Sequence, residues 1–107
     1  MNNDVIRGHL DLLLLAVVAS GAGHGYAVIR ALRERSDDAF DLPEGTIYPA
    51  LHRLEQQGLV VSSWTVAEGR RRRVYRLSGV GQRALVDGQR DWRAFARSVD
   101  AVLEGAR

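Results

Sequence analysis

Five arginines fall within seven residues: Arg70, Arg71, Arg72, Arg73 and Arg76. A guanidinium is always charged and carries a planar fork of donors, which fits a phosphate or the edge of a guanine. The chain has 15 basic residues, all of them Arg, against 13 acids. GC-rich codon usage is the plain explanation of the missing Lys. The clustering says more. A basic patch on a chain of net charge +2 implies one anionic partner at one place. Taken alone, such a run is as easily a solvated hairpin end.

A second group lies just upstream, on one face of a helix opened by Pro43-Glu44-Gly45-Thr46 and reaching about Gln57. Thr46 and Tyr48 bring hydroxyls that can donate to phosphate, and Arg53 can take a phosphate or a guanine edge. Pro49 and His52 share the face, and Gly45 would let the backbone approach a ligand closely. This surface is small, aromatic, prolyl and basic, whereas a merely solvated helix face carries Glu and Lys. Glu55 lies beside the apolar stripe and suits an ion pair within the protein. Arg7, at the start of the first helix, is a further candidate for a phosphate.

Other chemistry is poorly supported. His9, His24 and His52 sit in three different helices, with no i, i+4 pair and no clustered carboxylates, so no metal site is expected. There are no cysteines, which excludes a disulfide scaffold and a thiolate zinc site. No glycine loop precedes a lysine, and no nucleophile sits in an elbow motif. Ser20, Ser36, Ser62, Ser63, Ser78 and Ser98 all read as turn, cap or surface. No cofactor and no enzymatic activity are expected.

The elements that must position these groups read as follows. Asp4 to Ser20 is a helix, apolar almost all round from Leu10 onward and therefore buried on more than one side. Gly21-Ala22-Gly23 ends it. His24 to Arg35 is a second helix, with Tyr26, Ile29 and Leu32 on one face. Ser36 to Leu42 is a polar loop. Pro43-Glu44-Gly45-Thr46 opens a third helix reaching about Gln57, whose Ile47, Ala50, Leu51 and Leu54 form a core stripe. Pro49 is tolerable there if it falls within the first turn. Gly58 closes the helix. Leu59 to Val66 and Arg72 to Leu77 are strands joined by a turn at Ala67-Glu68-Gly69-Arg70, a β-hairpin. Arg73 and Arg76 would brace it. Ser78 caps a last helix from Gly79 to Leu103, with Leu85, Trp92, Phe95, Ala96, Val99, Val102 and Leu103 on one stripe.

The fold class is thus mainly α with a small β-hairpin (α+β), in the order α-α-α-β-β-α. That is the winged helix-turn-helix plan, in which the third helix enters the major groove of DNA and the hairpin is the wing. Residues 1–77 are the expected DNA-binding domain and 78–107 a dimerisation helix. The 107 residues suffice for one head domain. That head cannot cover both the first helix and the last stripe, so a second copy of the chain is the simplest cover. A fold-back of the last helix onto its own head is the alternative. The longest apolar run, Leu12 to Ala19, is eight residues, where a membrane span needs roughly 20. No secretion signal is read, and a cytoplasmic, nucleoid-associated protein is expected.

Several segments resemble one family. They are Arg7-Gly8-His9-Leu10-Asp11-Leu12-Leu13-Leu14-Leu15, His24-Gly25-Tyr26, and Gly45-Thr46-Ile47-Tyr48-Pro49-Ala50-Leu51-His52-Arg53-Leu54-Glu55, with Gly58-Leu59-Val60 and Arg73-Val74-Tyr75-Arg76-Leu77-Ser78 behind them. Together they closely resemble PadR-like transcriptional regulators, in the short subfamily with a single C-terminal dimerisation helix. The C-terminal segment is the least family-typical part. The resemblance implies a homodimeric, effector-responsive repressor of an inverted-repeat operator. Thr46, Tyr48, Pro49, Arg53, Arg70, Arg71 and Arg72 would contact double-stranded DNA. Leu13, Trp92, Phe95, Val99 and Leu103 would form the dimer face. If there is a small aromatic effector, Trp92 would line its cavity. Two rival readings are a winged-helix protein-interaction module without DNA binding, and a multidrug-sensing regulator with an aromatic slot at the dimer interface.

Overall fold

The structure is a computed structural model that describes residue 6 and residues 8–105. Over these residues the chain forms α1 (Leu10–Ala19), α2 (Gly25–Arg35), α3 (Glu44–Gln56), β1 (Val60–Ala67), β2 (Arg70–Leu77) and α4 (Gly79–Glu104). The order α-α-α-β-β-α is the one the sequence implies. The expected helix start near Asp4, and Arg7, lie outside the described residues.

The core sits where α1, α2 and α3 meet the base of the hairpin. Leu14, Val28, Ile47, Leu51, Leu54 and Val60 are fully buried. Each fully buried aliphatic side chain contributes about 1.5–3 kcal/mol over leaving it in water. α1 supplies Leu10, Leu14, Leu15, Val17 and Val18, on more than one side of the helix. Its chain reverses at Gly21, whose φ of 103° suits glycine.

In α2 the buried residues are Val28 and Leu32, an i, i+4 pair. Tyr26 does not belong to the core face and is mostly exposed. The expected polar loop is also more than polar. Leu42 enters the core and Phe40 packs against it. Ser36 holds this turn: its hydroxyl donates to the Leu32 carbonyl at 2.8 Å and accepts from the Phe40 N–H at 3.0 Å.

α3 buries Ile47, Ala50, Leu51 and Leu54, the anticipated stripe. Pro49 is not in the first turn, however. The helix starts at Glu44, so Pro49 lies in its second turn. Without an N–H at Pro49 the Gly45 carbonyl has no i+4 partner. Both residues are exposed, so water reaches that carbonyl.

The wing turn is shorter than expected. Only Glu68 and Gly69 separate the strands, both in the left-handed region at φ 55° and 75°, a type I′ pattern that matches strand twist. Arg70 and Arg71 therefore belong to β2, opposite Ala67 and Val66.

Ser78 caps α4 by accepting the Gly81 N–H at 3.0 Å. Gly81 packs directly on the Leu59 carbonyl, where a Cβ would collide with backbone. This contact and Gly88 against Leu12 dock the first half of α4. The second half leaves the head. The 26-residue helix is about 39 Å long, and it draws the molecule out to 59 × 28 × 19 Å. The last helix does not fold back to cover its own stripe: Phe95, Val102 and Leu103 remain 57%, 74% and 63% exposed.

Candidate nucleic-acid interface

Three elements converge on one open concavity of about 490 Å³. α3 contributes Tyr48. The start of α2 contributes His24, Gly25 and Tyr26. The wing contributes Arg70, Arg72 and Arg73. Backbone contacts fix the wing there. Tyr75 N–H donates to the Gly23 carbonyl at 2.7 Å, and His24 and Val74 form an isolated bridge. Gly25 has no Cβ, which leaves room for the Tyr48 ring against its backbone. Burial, helped by the Glu44 carboxylate and Tyr75, pushes the Tyr48 phenol above its usual range. Its hydroxyl stays neutral and can donate throughout physiological pH.

The sequence-proposed residues fall into three situations. Thr46, Tyr48, Pro49 and His52 are exposed along the outer face of α3. Arg53 is exposed there too, but its guanidinium is already paired with Asp11 of α1. That pair is half-exposed on both sides and so costs little to exchange for a phosphate. In the wing, Arg70 stands at the tip. Arg71 stacks over Trp64, 4.7 Å from the ring centroid. Arg72 reaches the His24 ring. Among the described residues none of these three has a carboxylate partner.

Arg73 braces the hairpin, as the sequence suggests. It pairs with Glu55 at 3.4 Å and also lies over Trp64, 5.3 Å from the centroid. Glu55 accepts from the Ser62 hydroxyl as well, so its carboxylate is committed inside the protein. Trp64 thus carries two cations, Arg73 directly opposite it on β2 and Arg71 two residues nearer the turn, an arrangement worth about 0.5–1 kcal/mol per pair at an exposed site. Sequence reasoning gave no role to Trp64, or to His24 and Tyr26 at the concavity. An amphipathic Tyr beside a His-Gly pair was the available signal for the last two.

A second surface lies at the other end. His9, Leu12 and Leu13 from the α1 side, Phe40, and Trp92 and Phe95 of α4 line an apolar groove of about 550 Å³. Trp92 meets the His9 ring edge-on at 5.1 Å and lies 6.1 Å from Phe95. Val99, Val102 and Leu103 continue the apolar strip towards the helix end. Among the described residues no cluster of three or more His, Cys, Asp or Glu is placed to hold a metal. Nor is any described helix long and apolar enough to cross a membrane.

Residues 14–87 match the PadR-like family of transcriptional regulators. The chain belongs to that family. This PadR-like chain is 45% identical over 93 residues to the transcriptional regulator Rv3488 of Mycobacterium tuberculosis, covering 87% of this chain and 84% of that one. The structure of a transcriptional regulator from Clostridium thermocellum is similar at a TM-score of 0.83 and 28% identity, covering 94% of this chain and 96% of that chain. A PadR family regulator from Eggerthella lenta is similar at a TM-score of 0.80 and 30% identity, covering 94% and 87%. PadR-like proteins are transcriptional regulators rather than enzymes, and the winged-helix architecture of the chain is theirs.

Proposed function

We propose that this PadR-like regulator binds an inverted-repeat operator as a homodimer and represses the promoter it covers. The observation that carries this reading is the shared concavity of α3, α2 and wing, lined by guanidinium, phenol and imidazole groups. Residues 1–77 are the DNA-binding head, with Thr46, Tyr48, Pro49 and Arg53 of α3 at the major groove and Arg70, Arg71 and Arg72 of the wing on phosphates or the minor groove. Residues 78–107 join two heads, through the exposed strip of Trp92, Phe95, Val99 and Leu103 together with Leu13. A winged helix that had lost its DNA would need acids or apolar groups on the reading side, and the arginines there disfavour that alternative.

The groove beside Trp92 favours a further element of the same reading, an effector of planar aromatic chemistry. Such a ligand acts by changing the spacing or tilt of the two heads, and only if it binds the two arrangements unequally.

Fluorescence anisotropy on a labelled duplex tests DNA binding directly. A dimer that neutralises roughly 8 phosphates should give a slope of about −7 for log K against log salt. The absence of salt-dependent duplex binding would overturn the reading.

A further inference from the structure

His24 presents its two ring nitrogens to two neighbours that cannot both be satisfied. Nδ1 lies 3.2 Å from the Ala27 amide nitrogen, which has only a proton to give. Nδ1 is therefore the lone-pair nitrogen, and in a neutral imidazole the proton is on Nε2. Nε2 in turn lies 3.3 Å from a terminal guanidinium nitrogen of Arg72, a group that only donates. Two donors face each other with no acceptor between them. The other tautomer moves the conflict to Nδ1 and the Ala27 amide without removing it.

The juxtaposition is built by the backbone, not by two loose side chains. The Tyr75–Gly23 hydrogen bond and the His24–Val74 bridge hold β2 against the start of α2. Val74 also packs where a side chain on Gly23 would stand, at 2.9 Å. Arg72 has no carboxylate partner among the described residues. Both donors open onto the concavity whose other walls include Tyr48 and Arg70. One anionic oxygen between Nε2–H and the guanidinium would satisfy both.

We propose that His24 and Arg72 form a two-donor clamp on a single phosphodiester oxygen of the DNA backbone. The clamp rests on the DNA-binding reading and specifies one of its contacts. It fixes where the wing and the start of α2 grip the same strand, while α3 lies in the groove beside them. Histidine here is a neutral donor, and arginine supplies the charge.

Two substitutions at His24 separate the clamp from the helix cap. In His24→Asn the amide oxygen takes the place of Nδ1 and keeps the cap, while nothing reaches the place of Nε2. In His24→Gln the amide nitrogen reaches the place of Nε2 and the cap is lost. Anisotropy titrations of a labelled duplex are run for wild type, H24N, H24Q, Arg72→Ala and the H24N/R72A double variant.

H24N is expected to bind about tenfold more weakly. Its salt slope should match wild type, because a neutral donor displaces no counterion. R72A should weaken binding and flatten the slope by about 2 for the two protomers. The double variant should lose less than the two single losses combined, since both groups grip one oxygen. H24Q should keep most of the affinity. Inorganic phosphate, added at constant ionic strength, should raise the Tm of wild type and H24N equally. A rise confined to wild type would reassign the clamp to a free anion.

H24N binding like a wild type that itself binds duplex would overturn the clamp alone, as would strict additivity of H24N and R72A. A wild type that binds no duplex would overturn the DNA-binding reading and the clamp with it.

Discussion

Replacing Val99 and Leu103 together by Asp is expected to turn a micromolar dimer into a monomer, read by sedimentation equilibrium. Both residues lie on the outer strip of α4, 37% and 63% exposed in the single chain. In the proposed dimer each would be covered by the partner helix. A carboxylate buried there without a counter-charge costs about 3–5 kcal/mol. The two-fold axis buries every substituted residue twice. One such penalty raises the dissociation constant by at least about a hundredfold. The head should stay folded, because neither side chain belongs to its core. Circular dichroism then separates a split dimer from an unfolded one. An unchanged dimer would move the interface elsewhere on the molecule.

Changing Arg70, Arg71 and Arg72 together to Ala should produce the largest loss of DNA binding. Three cations per protomer are six per dimer. If all six lie on phosphates, the salt slope should fall from about −7 to about −2, and affinity at low salt should drop by about a thousandfold or more. The loss should be uniform across sequences, because phosphate contacts position the protein without reading bases. The substitutions are gentle to the fold, since no carboxylate among the described residues is left unpaired by them. Arg71 gives up its place over Trp64, but Arg73 stays there. A slope unchanged by the triple substitution would take the wing off the DNA.

Local signals carried the element order. The cap at Ser78, the left-handed glycines at 21, 58 and 69, and the spacing of Ile47, Ala50, Leu51 and Leu54 are all short-range features that propensity and periodicity report directly, whereas the cap at His24 is seen only in the structure. Tyr26 against Val28 was not decidable that way. Both choices leave an apolar stripe ending at Leu32, and only the packing of α2 on α1 and α3 selects one. The wing shows the same limit in a different form. A four-residue turn at 67–70 and a two-residue turn at 68–69 share one register, and the backbone alone shows that the ladder continues to Ala67 and Arg70, which makes Arg70 and Arg71 strand residues.

The site was legible as a set of residue types and not as a set of partners. Arg53 finds Asp11 across 42 positions of sequence, and Arg72 finds His24 across 48. No local pattern encodes such pairings. They arise from the way α1 and α3 cross and from the bond between Gly23 and Tyr75. Pro49 in the second turn of α3 is a related case. The exposed outer face of the helix, next to the concavity, accommodates a carbonyl without a helical partner that a buried face would not.

Selection of bound duplexes from a random-sequence pool, followed by sequencing, tests the central claim most directly. A two-fold dimer with α3 in the major groove requires two inverted half-sites whose centres lie about one helical turn, roughly 10 bp, or a multiple of it apart. The expected result is enrichment of one such inverted repeat by wild type, and loss of the paired half-sites with the Val99→Asp/Leu103→Asp protein. Failure of wild type to enrich any sequence, or enrichment of an isolated half-site alone, would contradict a dimeric, sequence-reading regulator.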